Sequence, residues 1–188
     1  MKITSKQTYK IVRSILISKK FTQYQISKNE KVTFSLVNRV VNWLVRIGYV
    51  AKRKGYYELT APAAIFGLFS IYRKMAPIAT FDVAPDSKEI LNLLNKRAAL
   101  CLTSALSAYD AYYRDTAIYA YALDKKLVGE LGEMPKGYTR VELYEEDLNS
   151  QDIVKNGQWK TSKVRTVIDL FCANKAYAAE RLVKREWV

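Results

Sequence analysis

Between Thr33 and Thr60 the hydrophobic period changes from helical to strand-like across a single glycine. In "TFSLVNRVVNWLVRIG", Val37, Val41, Leu44 and Ile47 recur at three- and four-residue intervals, the spacing of one buried helix face. Gly48 follows, and glycine tolerates the left-handed backbone that commonly ends a helix. The next stretch, "YVAKRKGYYELT", holds two short β-favouring runs, Tyr49–Lys52 and Tyr56–Thr60, around a turn that carries Gly55. A helix that feeds directly into a hairpin must bury its apolar stripe and the inner face of the hairpin against the same neighbours.

The preceding segments supply those neighbours. Ser5–Ser18 places Tyr9, Val12, Ile15 and Leu16 on one helical stripe. Thr22–Lys28 reads as a short helix capped by Thr22, "NEKVT" as a polar turn, and Thr33 as the N-cap of the third helix. After the hairpin, Pro62–Lys74 predicts another helix with Ile65, Leu68, Phe69 and Tyr72 inward. The order of three helices and a two-stranded hairpin is that of a winged helix-turn-helix unit. At the residue level "LVNRVVNWLVRIGYV" resembles the recognition helix and first wing strand of winged-helix regulators.

Charge points to a partner for this unit. Residues 1–76 hold fifteen Lys and Arg against two acids, Glu30 and Glu58, whereas residues 77–188 hold sixteen of each sign. The whole formal excess of +13 therefore lies in the first part, as expected of a basic module that meets a polyanion beside a neutral module with another task. The N-terminal half of a recognition helix faces base edges, so Thr33, Phe34, Ser35, Asn38, Arg39 and Asn42 are candidate readers of double-stranded DNA. Arg39 suits guanine, the asparagines adenine, and Phe34 either a thymine methyl or the core. Lys28, Lys31, Lys52, Arg53, Lys54 and Tyr56 are candidates for the sugar-phosphate backbone, with Lys19 and Lys20 flanking them. Trp43 and Arg46, late in the helix, are expected to pack or to face solvent.

Residues 77–87, with two prolines in "MAPIATFDVAPDSK", read as a linker. Residues 88–188 read as a small mixed α/β domain, which makes the chain α+β overall. Helices are predicted at Lys88–Asn95 and Thr103–Tyr113, and strands at Thr116–Leu123 and Tyr138–Glu145. Two further helices follow, in "KTSKVRTVIDLFCANK" and "AYAAERLVKREW". Two stretches here, "LTSALSAYD" and "TSKVRTVIDLF", together with a basic winged helix in front, resemble the AbiEi antitoxin family of type IV toxin–antitoxin systems. That resemblance implies an autorepressor of its own operon whose second domain counters a partner toxin. Arg165 and Asp169, four residues apart, are placed to pair along one helix face.

Several function classes are excluded or weakened. The chain has no histidine, which removes histidine-based nucleophile activation and mixed Cys/His zinc sites. Two cysteines, Cys101 and Cys172, cannot complete a structural zinc site, and apolar sequence around each predicts buried, reduced thiols. No phosphate-binding loop, dinucleotide fingerprint or Gly-Ser turn with spaced carboxylates is present, so no cofactor or metal is expected. The alternatives left open are a metal-dependent nuclease or nucleotidyltransferase-like enzyme using Glu142, Glu145 or Asp147, with the winged helix as a targeting arm, and a winged-helix protein–protein adaptor. The last helix is a candidate for homodimer pairing. No apolar run reaches the roughly 20 residues of a membrane span. The polar start "MKITSKQTYKIVRS" predicts a cytoplasmic protein.

Overall fold

The computed structural model describes residues 3–113 and 115–188. The chain is α+β and divides into two compact units, Met1–Arg73 with Val183–Val188, and Lys74–Leu182.

The first unit begins with α1 (Lys6–Ser18), β1 (Lys20–Phe21), α2 (Gln23–Glu30) and α3 (Phe34–Arg46). It continues with β2 (Val50–Arg53), β3 (Tyr56–Leu59) and α4 (Pro62–Tyr72). Tyr9, Val12, Ile15 and Leu16 of α1 are fully buried, as the stripe predicts. On α3 the buried residues are Val37, Val40, Val41 and Leu44, and each fully buried side chain of this size is worth about 1.5–3 kcal/mol. Ile47, expected on the same face, is 36% exposed. It sits at the C-cap, where the backbone has left the helix and aims the side chain away from the stripe. Gly48 then takes φ +80°, and Tyr49 N donates back to Leu44 O at 2.9 Å, so the chain reverses into β2. Gly55, at φ +85°, turns the hairpin.

The sheet of this unit has the order β1-β3-β2 and is antiparallel throughout. Strand β1 is only two residues long, too short for its period to be read in the sequence. On α4, Ile65, Phe66 and Phe69 are buried while Tyr72 is 54% exposed, so the inward face is turned slightly from the predicted one. Residues Val183–Val188 belong to this unit and not to the C-terminal domain predicted from 88 to 188. The reason is Trp187, whose ring packs edge-on against Phe66 at 5.2 Å and whose Nε1 donates to Leu16 O at 2.7 Å.

The second unit holds β4 (Ala79–Val83), α5 (Ser87–Leu94), β5 (Ala98–Leu100), α6 (Leu102–Leu106) and β6 (Ile118–Ala122). They are followed by α7 (Lys126–Gly132), β7 (Thr139–Tyr144), β8 (Ile153–Val154), β9 (Lys160–Thr161) and α8 (Lys163–Cys172). The last helix, α9 (Ala176–Trp187), ends in the residues assigned to the first unit. The sheet is mixed, in the order β4-β7-β6-β5-β9-β8.

The predicted linker, 77–87, is corrected. Ala79–Val83 is an edge strand, antiparallel to β7 with Phe81 opposite Val141. Pro77 and Pro85 lie just outside it, where a missing N–H costs no ladder bond. Predicted helix Thr103–Tyr113 is shorter: it ends at Leu106 in tight turns, with Ala108 N donating to Ala105 O at 3.2 Å and Tyr109 N to Leu106 O at 2.8 Å. Ile90, Leu94, Leu127, Leu131, Val141 and Leu143 form the centre of this unit's core. Among the described residues no helix is long and apolar enough to cross a membrane.

Candidate nucleic-acid interface

The exposed surface of the first unit is built from the turn between α2 and α3, the outer face of α3, and the β2–β3 hairpin. Helix α2 starts with a reciprocal capping pair. Thr22 Oγ1 accepts from Gln25 N at 3.2 Å, and Gln25 Oε1 accepts from Thr22 N at 3.0 Å. The turn after α2 is closed by Ser27 Oγ, which donates to Val32 O at 2.7 Å, while Val32 is buried beneath. Lys31, at φ +53°, and Thr33 project from this turn, and both are exposed. Thr33 occupies the N-cap of α3 with extended backbone and makes no side-chain capping bond, so its predicted capping contact is not formed.

All twelve residues predicted as DNA contacts are exposed: Lys28, Lys31, Thr33, Phe34, Ser35, Asn38, Arg39, Asn42, Lys52, Arg53, Lys54 and Tyr56. Phe34, for which core and surface were both open, is 51% exposed. Val37, Val40, Val41 and Leu44 form the buried face, and Phe34 lies outside it.

Arg53 and Tyr56 are not independent of their neighbours. Arg53 Nε donates to Glu58 Oε2 at 3.0 Å, and Lys20 Nζ lies 3.6 Å from Glu58 Oε1. Lys20 also stands over the Tyr56 ring at 6.0 Å. Lys20 and Glu58 are directly opposed in the β1–β3 register. The hydrogen bond from Arg53 holds the Glu58 carboxyl below its ordinary range. The two cations therefore lean on the hairpin's own carboxylate, whereas Lys52 stands opposite Tyr57 in the register.

The structure adds two residues to the face and one behind it. Trp43 and Arg46 line a concave surface of about 610 Å³ with Arg39 and Asn42. Their spacing, three, four and seven residues from Arg39, is a helical stripe that could have been read directly. Gln23, at the start of α2, is buried and touches the face from behind. Its Nε2 donates to Asn38 Oδ1 and to Tyr57 Oη, each at 3.2 Å. Asn42 Nδ2 also donates to Asn38 Oδ1, at 2.9 Å. Nothing in the period marks Gln23, because an isolated buried amide looks like any surface residue in sequence.

In the second unit several of the polar side chains pair with one another. Arg165, 1% exposed, donates through Nε to Asp169 Oδ1 at 2.8 Å and through Nη2 to Tyr121 Oη at 2.8 Å and Asp147 Oδ1 at 2.9 Å. The pairing predicted from the four-residue spacing is thus present. Glu142 accepts from Arg140 Nε at 3.1 Å and from Tyr144 Oη at 2.8 Å. Glu145 is exposed. Among the described residues no cluster of three or more metal-binding side chains occurs. Lys175 Nζ donates to Asp115 Oδ2 at 2.9 Å and to Tyr119 Oη at 2.7 Å. Burial opposes charge on both Asp115 and Lys175, yet their mutual hydrogen bond and those of Tyr119 outweigh it. The carboxyl is held below and the ammonium above its usual range. Cys101 and Cys172 are both buried.

No protein-family model matches the chain, and comparisons with curated proteins and with solved structures return no match either.

Proposed function

We propose that this protein is a sequence-specific, double-stranded-DNA-binding transcriptional regulator whose first unit works as a winged helix-turn-helix. Helix α3 enters the major groove and the β2–β3 hairpin lies on the flanking backbone. The observation that carries the reading is the coincidence of charge and exposure. The unit that holds the entire net charge presents Ser35, Asn38, Arg39, Asn42 and Arg46 along one helix face and a basic hairpin tip beside it. The same face carries an exposed Phe34 and a half-buried Trp43 among the cations, apolar surface of the kind that contacts a thymine methyl. The resemblance to AbiEi antitoxins supports repression of the protein's own operon, with the second unit engaging a toxin.

The test is titration of a labelled duplex at several salt concentrations. Log K is expected to fall against log salt with a slope near −4 to −5, the value for about five neutralised phosphates. Lys52→Ala with Lys54→Ala should flatten that slope by about 2 units and weaken all sequences about equally. An affinity that does not change with salt would refute the reading. Turnover of DNA or RNA with Mg²⁺, abolished by Glu142→Gln, would replace it with an enzymatic one.

A further inference from the structure

We infer that Gln23, a buried residue outside the exposed face, sets which base edge Asn38 can read. The inference rests on the DNA-binding proposal above and makes it chemically specific.

A carboxamide offers an oxygen with two lone pairs and a nitrogen with two hydrogens. In Asn38 the oxygen is fully used inside the protein. It accepts from Gln23 Nε2 at 3.2 Å and from Asn42 Nδ2 at 2.9 Å. What Asn38 presents outward is therefore a pure donor. A bidentate contact to adenine needs both a donor and an acceptor from one carboxamide, so Asn38 cannot make it in this orientation. Its match is an edge with acceptors and no donor: in the major groove guanine offers two, O6 and N7, and thymine one, O4. Cytosine, which presents a donor there, would face N–H against N–H. Asn42 differs: one N–H is spent on Asn38, and its oxygen and second N–H remain, the pair that suits adenine.

Gln23 can impose this because it is itself held. Its Nε2 also donates to Tyr57 Oη at 3.2 Å, and the Tyr57 ring stacks on Phe21 at 5.8 Å with 16° between the planes. Gln23 is only 9% exposed, so rotating its amide would break two bonds away from solvent. The chain Phe21–Tyr57–Gln23–Asn38–Asn42 runs from the hairpin sheet through α2 to the face of α3. Gln23 acts as a positioning residue: it touches no base and fixes the polarity of one that does.

The experiment selects duplexes from a randomised pool with the full-length protein and then measures single-base variants of the winner. The wild type is expected to prefer guanine over cytosine at one position by about fivefold or more. Gln23→Glu replaces the donor by an acceptor, which draws the Asn38 nitrogen inward and turns its oxygen out. The preference at that position should invert toward cytosine. Gln23→Ala removes the lock, so the ratio should fall to within about twofold while the salt slope stays unchanged, since no phosphate contact is lost. A loss of folding alone would lower affinity for every sequence and would not invert one position. If both variants keep the wild-type preference, the inference is overturned and the DNA-binding reading stands. If the wild type retains no duplex from the pool, the DNA-binding reading falls and the inference falls with it.

Discussion

On the DNA-binding proposal, Glu58→Gln should tighten binding to a duplex. Glu58 is the one carboxylate on a hairpin whose tip is Lys52, Arg53 and Lys54, and it holds two cations, Arg53 at 3.0 Å and Lys20 at 3.6 Å. A carboxylate that already neutralises a cation competes with the phosphate that would otherwise do so. Glutamine keeps the size and the strand position but removes the charge, so Arg53 and Lys20 become available to the backbone of the duplex. Each phosphate newly neutralised adds about 0.9 to the slope of log K against log salt, so the variant's slope should steepen by about 1 to 2 units. The ratio of variant to wild-type affinity should then grow about three- to fourfold per added contact as salt falls from about 200 to about 50 mM. Anisotropy titrations of a labelled duplex over that salt range measure both quantities. Equal slopes would refute the reasoning, because Arg53 and Lys20 would then lie off the backbone. Weaker binding would refute it differently: Glu58 would be a brace that aims Arg53 at phosphate rather than a competitor for it.

Three other outcomes follow from the packing. Arg165→Met should destabilise the protein by about 3–5 kcal/mol, because it strands the fully buried Asp169 carboxylate. Adding Asp169→Leu should recover most of that loss in chemical denaturation, which separates an uncompensated charge from a lost shape. Asp115→Asn should cost about 1 kcal/mol near neutral pH, after screening of a partly exposed pair. The lowered Asp115 contributes stability above its unfolded value, lost as pH falls through the folded one, and the raised Lys175 contributes below its unfolded value, lost as pH rises. The difference between variant and wild type should therefore be flat around neutral pH and shrink as pH falls below the ordinary carboxylate range in thermal melts. Gly48→Ala should cost about 1 kcal/mol, since the residue holds φ +80° with open space around the position of an added Cβ, so that strain and not a clash sets the loss.

How much of this was legible in the sequence depends on how far each signal reaches along the chain. Helices α1 and α3 announce themselves because each repeats its apolar spacing over thirteen residues. Strand β5 does not, because three residues of Ala and Leu carry neither alternation nor β-branching, and its burial is imposed by β6 and β9 on either side. Strand β4 was hidden by its flanking prolines, which mark a loop as readily as the ends of an edge strand. Trp187 binds a segment 171 residues away, and no local pattern records a partner at that distance. The exposed face was legible residue by residue because exposure is the complement of a readable stripe. Its internal wiring was not, since the link from Gln23 to Asn38 spans fifteen residues and joins two helices by single side-chain atoms.

That wiring bears on how affinity and base preference can be separated in one small unit. On the DNA-binding proposal Lys54 at the hairpin tip sets attraction, while Lys52, opposite Tyr57 in register, shares that residue's face of the sheet. Tyr57 sits in the same strand as Tyr56 and Glu58, yet its hydroxyl meets Gln23. Successive residues of a strand point to opposite faces, so β3 sends Glu58 and Tyr56 to the charged surface and Tyr57 to the amide network by alternation alone. A one-residue slip of the hairpin would exchange them, placing a carboxylate against Gln23 and removing the hydroxyl that holds it. The register fixed by β1 and β2 on either side of β3 is thus a requirement for the polarity of Asn38 as well as for the position of the cations.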